Sequence, residues 1–202
     1  ISNILIKENN EKEAKKYLKK QYEKILSPNV YETYDYARFL NSNENYDKSI
    51  NYFTKVIEQI DENHYLYSKA RDGRGVANER QGNWEEAESD FLNSLRVNPN
   101  QPYVINYLAY SWIEKGLYIE KSLKMLEKAN ELKKNDGYII DSLGWALFKL
   151  KKFKEAKKQL QFAVRIMPSD PIINDHFADS LWMNNQKVQA RYYWRYVLKL
   201  KE

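Results

Sequence analysis

The sequence predicts an all-α solenoid of about twelve antiparallel helices, and three observations predict it. Helix breakers are scarce: 6 glycines and 5 prolines stand against 30% charged residues in a chain of 202, a balance that favours helices over sheets. Small residues recur at a fixed register, Ala37, Gly75, Ala109, Gly144 and Ala178, the last four spaced by 34 or 35 residues. A second small series runs beside the first, Ala14, Ser49, Ala87, Ser122, Ala156 and Ala190, and four residues after each member comes a large apolar one, Leu18, Phe53, Phe91, Leu126, Leu160 or Trp194. Self-similarity at such a period marks a chain built from one stacked helical unit.

Taken in order, residues 1–29 read as the end of one helix followed by a second around Ala14 and Leu18. Full units follow at 30–67, 68–101, 102–136, 137–170 and 171–202, and 1–202 reads as a single domain. In each unit the small residues lie where two antiparallel helices approach most closely, so bulk is excluded there. The large residues fill the layer between helices. Pro28, Pro99 and Pro168 close units because proline cannot continue the helical hydrogen-bond ladder. The unit 137–170 is the most regular, with Ile140, Leu143, Gly144, Leu147, Phe153, Ala156, Leu160, Ala163 and Pro168. The first full unit carries about four extra residues, His64 to Tyr67, before the next begins, and one extra residue lies near Leu117–Glu120; both fall at turns. The unit 68–101 departs from the pattern, with Arg71, Arg74 and Asn78 where large apolar residues are expected. A buried arginine there requires a partner such as Glu79, Glu88 or Asp90. The count of helices predicts that the chain begins inside a repeat and that the natural protein extends further towards its N-terminus.

These residues match the tetratricopeptide pattern, large-x2-Leu-Gly-x2-Tyr, then Ala-x3-Phe, then Pro, and the chain resembles the tetratricopeptide-repeat (TPR) superfamily over essentially its whole length. The resemblance implies a right-handed superhelix whose concave wall is the first helix of each unit. Several strings resemble a narrower group: Arg74-Gly75 with Glu79-Arg80 and Trp84-Glu85-Glu86-Ala87-Glu88; Asn106-Tyr107-Leu108-Ala109-Tyr110-Ser111-Trp112; Asp136-Gly137-Tyr138-Ile139-Ile140-Asp141-Ser142-Leu143-Gly144-Trp145-Ala146; and Asp170-Pro171-Ile172-Ile173-Asn174-Asp175-His176 with Asp179 and Trp182. Over about 68–202 they are similar to the C-terminal halves of TPR proteins of Gram-negative bacteria, many of them exported. A related group includes outer-membrane lipoproteins that partner a periplasmic processing protease. The resemblance implies a protein–protein interaction module, a scaffold or adaptor holding a peptide or protein partner, for an envelope protease or assembly complex. It implies a periplasmic or outer-membrane-attached location, with a cytoplasmic one as the alternative.

Within each unit, positions 2, 5, 9 and 12 are expected to face the concave side. They give Tyr31, Tyr34, Arg38 and Asn41 in the first full unit, and Lys69, Asp72, Val76 and Glu79 in the second. The third contributes Tyr103, Asn106, Tyr110 and Ile113, the fourth Tyr138, Asp141, Trp145 and Phe148, and the fifth Ile172, Asp175, Asp179 and Trp182. Tyrosine and tryptophan offer large contact area and a polar edge at low entropic cost, and an Asn/Asp row can bond a ligand backbone. The bland alternative is that some of these aromatics pack on the next helix. The TPR group that clamps terminal carboxylates needs Lys and Asn on this wall; Asp occupies much of position 5 here. At the C-terminal end Tyr192, Tyr193, Tyr196 and Leu198 leave an aromatic patch, expected to dock on a second copy in a homodimer or on a separate partner. The alternative is that these rings lie flat with their hydroxyls in water.

The formal net charge is +5, which favours an anionic partner, although Lys and Asn are abundant throughout the chain. The wall is more acidic than the chain as a whole, which argues against the alternative of an RNA-reading helical repeat, whose inner wall must be basic. A self-assembling structural repeat is the other alternative. The absence of cysteine excludes disulfides, thiolate zinc sites and Cys nucleophiles. Asp175, His176 and Asp179 share one helix face, but one histidine without further ligands makes no metal site; inter-repeat hydrogen bonding by Asn174, Asp175 and His176 is expected instead. No catalytic motif appears, so neither an enzyme nor a cofactor is expected. No run of 18 apolar residues is present.

Overall fold

The computed structural model describes residues 11–25 and 27–200. The expected first helix and the side chains of Ala14 and Leu18 lie outside the described residues. Among those described there are eleven helices and no strand: α1 (Glu11–Tyr22), α2 (Val30–Ser42), α3 (Tyr46–Gln59), α4 (Tyr67–Arg80), α5 (Trp84–Val97), α6 (Pro102–Glu114), α7 (Ile119–Leu132), α8 (Gly137–Lys149), α9 (Phe153–Ile166), α10 (Pro171–Met183) and α11 (Lys187–Leu200). Packing divides the chain into two compact units, Ile1–Pro99 and Asn100–Glu202.

In the first unit α2 pairs with α3 and α4 with α5, while α3 and α4 join one pair to the next. In the second, α6 pairs with α7, α8 with α9 and α10 with α11. The first helices of adjacent pairs also touch, α2 with α4, α6 with α8 and α8 with α10. Each hairpin closes in the same way. A residue with positive φ follows the first helix: Glu44, Gly82, Gly116, Lys151 or Asn185. The next amide then reaches back five residues, as from Asn45 to the Leu40 carbonyl (2.9 Å), Asn83 to Asn78 (2.9 Å), Lys152 to Leu147 (2.9 Å) and Gln186 to Leu181 (2.9 Å). This left-handed cap satisfies the last carbonyls of the helix. The extra residue near Leu117–Glu120 is absorbed by a second left-handed residue, Tyr118 at φ 47°.

Starts are equally explicit. Asn29 caps α2 in a reciprocal box with Glu32, and the carboxylates of Asp136 and Asp170 accept from the first amides of α8 and α10. Such caps each contribute about 1 kcal/mol. Between helices the first-helix small residue meets the second-helix large one. A Cβ on Gly75 would sit 2.8 Å from Phe91, and one on Gly144 would sit 2.6 Å from Leu160 Cγ. Ser49, small residue of the second series, donates to the Ala37 carbonyl at 3.0 Å. Gly73 adds a contact the repeat pattern did not announce: Phe53 of α3 occupies the space its Cβ would need.

The irregular unit 68–101 resolves on one carboxylate. Asp90, 2% exposed in its side chain, accepts from Arg71 Nη1 (2.8 Å), Arg74 Nε (2.7 Å) and Arg74 Nη2 (2.8 Å). Arg74 also donates to Thr54 Oγ1 (2.9 Å) and Arg71 to the Tyr67 hydroxyl (3.0 Å).

Candidate functional site

The positions expected to face a partner lie on the first helices of the pairs, and their surroundings differ from one unit of the fold to the other. In the second unit a row of large side chains stands in solvent at the first turns of α6, α8 and α10: Tyr103 and Tyr138 at 52% and Ile172 at 57% exposure. Tyr103 is fixed there. Its hydroxyl donates to Asp136 Oδ2 (2.9 Å) and accepts from Lys133, whose ammonium also lies over the ring.

Deeper along the same helices the expected wall residues are packed into the protein. Asp141 and Trp145, expected to reach a partner, are 5% and 8% exposed, so that expectation is corrected for both. The reason is the neighbouring helix. His176 of α10 stacks on Trp145 of α8 (centroids 4.0 Å, 11°), and Trp145 stacks on Phe148 (4.8 Å, 10°). His176 Nδ1 lies 3.0 and 3.1 Å from the two Asp141 oxygens, placed to donate to the carboxylate. Trp145 Nε1 donates to Glu114 Oε1 of α6 at 2.7 Å, and Lys149 lies over the indole at 4.6 Å. Three consecutive first helices are thereby linked by one polar and aromatic stack. Burial raises the Asp141 carboxyl above the usual range, with the His176 hydrogen bond opposing it. Tyr110 is half-buried beside this stack. Burial raises its phenol, as do Glu114 and Asp141, so it remains a neutral hydroxyl.

Of the remaining expected wall residues in this unit, Asn106 and Phe148 are half-buried and Asp175 is exposed. Asp179 is half-buried, its carboxyl raised by burial and by the like charge of Asp175, with a hydrogen bond from Trp194 opposing. Trp182 packs on Trp194 (5.4 Å) under Lys187. The inter-repeat bonding expected of Asn174, Asp175 and His176 falls to His176. Asn174 instead donates to the Pro168 and Asp170 carbonyls just before its own helix. At the C-terminal end Tyr192 and Leu198 are 68% and 66% exposed. Tyr193 is half-buried, edge-on to Tyr192 (5.7 Å) and turned onto Phe177 of the core (4.9 Å). Tyr196 is half-buried.

The first unit presents a different wall. Tyr31 and Arg38 are exposed and Tyr34 is half-buried. Tyr31 leans on Tyr65 (6.0 Å) and His64 (5.9 Å), which stack on each other at 5.1 Å. The four extra residues at the end of the first full unit thus supply part of an aromatic shelf. That role was not legible from the spacing alone, because an insertion announces its length and not its direction. Glu114 and Lys149 were also missed. They occupy one register, 35 residues apart, and that separation of one repeat is the signal that could have paired them; His176 lies one position past Asp175, the register mate of Asp141.

Among the described residues no group of three or more His, Cys, Asp or Glu is placed to hold a metal ion, and no helix is long and apolar enough to cross a membrane. Each unit of the fold is built from helical hairpins packed one on the next. The tetratricopeptide-repeat family model matches residues 3–202, and the chain belongs to that family. Proteins of this fold generally mediate protein–protein interaction and are generally non-enzymatic. A TPR repeat-containing protein of Pseudomonas aeruginosa is 23% identical over 137 residues, covering 67% of this chain; the match spans only 22% of that relative's length. Among solved structures, MamA from Desulfovibrio magneticus RS-1 superposes with a TM-score of 0.70 at 14% identity, covering 88% of this chain and 97% of that one. PilF of Pseudomonas aeruginosa gives 0.69 at 19%, covering 84% and 77%. The C-terminal part of a TPR repeat-containing protein from Cytophaga hutchinsonii gives 0.66 at 16%, covering 98% and 77%. These three likenesses establish the fold.

Proposed function

We propose that the chain holds a peptide or protein partner along the exposed side chains of its first helices, as an adaptor within an envelope protease or assembly complex. The observation that carries the reading is the solvent-exposed row Tyr103, Tyr138 and Ile172, one residue per repeat at the same register. Rows of large amphipathic side chains on a rigid backing are what interface anchors require. The stack beneath supplies the backing: Asp141, His176, Trp145 and Glu114 fix the helices without using the row itself. The envelope setting is supported by the similarity of 68–202 to exported bacterial TPR proteins.

The test is site-specific photo-crosslinking in the native host. A photoreactive phenylalanine at Tyr103, Tyr138 or Ile172 is expected to give one discrete protein adduct. The same group at Lys124 or Gln161, exposed on the second helices α7 and α9, is expected to give none. Adducts equal from both faces, or adducts removed by nuclease, would overturn the reading.

A further inference from the structure

A pocket of about 410 Å3 opens on the wall of the first unit, lined by α2, α3 and α4. Two polar groups lining it are acceptors without donors. Asn41 donates its amide N–H to the Gly73 carbonyl at 3.1 Å, which leaves Asn41 Oδ1 buried and unpaired. Asp72, largely withdrawn from solvent, has no hydrogen bond or ion pair among the described residues. Buried polar atoms in folded proteins nearly always have partners, so the orphaned Asn41 oxygen beside an unpaired, half-buried carboxylate needs an explanation.

The chain's own cations do not supply it. Arg38, Lys69 and Arg80 line the pocket, but each has a partner other than Asp72 and Asn41. The Arg38 guanidinium lies over the Tyr34 ring (5.8 Å), Lys69 over Tyr65 (5.2 Å), and Arg80 beside Glu79 (3.8 Å). Burial is the sole cause holding the Asp72 carboxyl up at about 6, so none of these charges compensates it.

We propose that this pocket takes the arginine or lysine side chain of a partner peptide. The cationic head donates to the Asp72 carboxylate and to Asn41 Oδ1, and its methylene stem lies along Tyr34 and Val76. The shelf of Tyr31, His64 and Tyr65 receives the flanking peptide. A charge-assisted bond to a carboxylate withdrawn from bulk water is among the stronger hydrogen bonds a site can offer. An acidic side chain is the competing occupant, since three cations stand at the rim. Those cations are exposed and screened by water. An anion in the pocket would also leave both acceptors unpaired and set a like charge against Asp72.

The inference rests on the protein-binding reading and narrows it to one anchor, yet its test needs no partner. The full chain, labelled with nitrogen-15, is titrated with N-acetyl-arginine N-methylamide and, separately, with the matching glutamate derivative. Saturable shifts are expected at Tyr34, Asn41, Asp72 and Gly73 with the arginine derivative. Affinity is expected to fall about tenfold in Asp72→Asn, whose spectrum otherwise shows the same fold. Preferential binding of the glutamate derivative, arginine binding indifferent to Asp72→Asn, or no saturable shift at these residues would each overturn the proposal. If crosslinking from Tyr138 captures a protein while the arginine derivative fails, only the cation pocket falls. If the derivative binds and crosslinking fails, the pocket stands without the adaptor.

Discussion

Asp90 answers to two guanidinium groups at once, and residue-level consequences are sharpest there. Its carboxylate accepts three hydrogen bonds from Arg71 and Arg74, all three side chains being largely withdrawn from solvent. Removing one partner of such a group leaves uncompensated buried charge, which costs about 3–5 kcal/mol. Asp90→Ala is expected to lower stability by that amount in urea unfolding, and an unchanged midpoint would show the network to be ornamental. A second contrast separates packed from exposed wall residues. Trp145→Ala removes an indole stacked between His176 and Phe148 and is expected to cost about 3–5 kcal/mol. Tyr138→Ala, on the exposed row, is expected to stay within roughly 0.5 kcal/mol in thermal melts. The two residues stand seven apart on one helix, and both were expected to face a partner. At that spacing they share one helix face. Their sequence positions do not say how far the neighbouring helix leans over it, because that depends on His176 one repeat away.

At the scale of helices and turns, the sequence was most legible where a position tolerates few residue types. The closest approach in α8 and α9 admits only glycine, since a Cβ on Gly144 would lie 2.6 Å from Leu160 Cγ and 3.2 Å from the Leu160 amide nitrogen. The caps at Asn29, Asp136 and Asp170 follow from the same economy of choices. The positive-φ turns were less legible: Glu44, Lys151 and Asn185 take the conformation that glycine takes at Gly82 and Gly116. There the hairpin imposes the backbone and the residue yields. Gly144→Leu is expected to force α8 and α9 apart at a cost of roughly 1–3 kcal/mol or more. Because each repeat packs on its neighbours, loss of hydrogen-exchange protection should concentrate in α8 and α9 and the adjacent helices α7 and α10. Uniform loss over the described residues would contradict that picture.

For the molecule as a whole, the buried carboxylates set how stability responds to pH. Three are displaced upward, each with burial as the leading cause: Asp72 to about 6, and Asp141 and Asp179 by direction. The folded chain therefore holds these protons more tightly than the unfolded chain, whose carboxyls keep their ordinary value of 3.8. The stability that protonation contributes is fully present below the ordinary value and is lost as pH rises through the displaced one. Glu62 runs the other way. Its hydrogen bond from Arg96 lowers its pKa, so its contribution is present above the ordinary range and lost as pH falls; it is exposed, and solvent screens it. Below about pH 4 the carboxylates of the surface protonate as well, and a chain already at +5 acquires further positive charge that repels itself. These opposing slopes are expected to make Tm fall as pH rises through about 6, where Asp72 loses its proton, rather than hold a plateau through neutrality. Asp72→Asn removes one of these contributions. It is expected to stabilise the protein by on the order of 1–2 kcal/mol at pH 7.5 and by much less at pH 4. Thermal melts of both proteins from pH 4 to 8 check this. A constant offset between the two curves, or a wild-type Tm that climbs steadily to pH 8, would show that Asp72 already has a partner and that burial does not govern its charge.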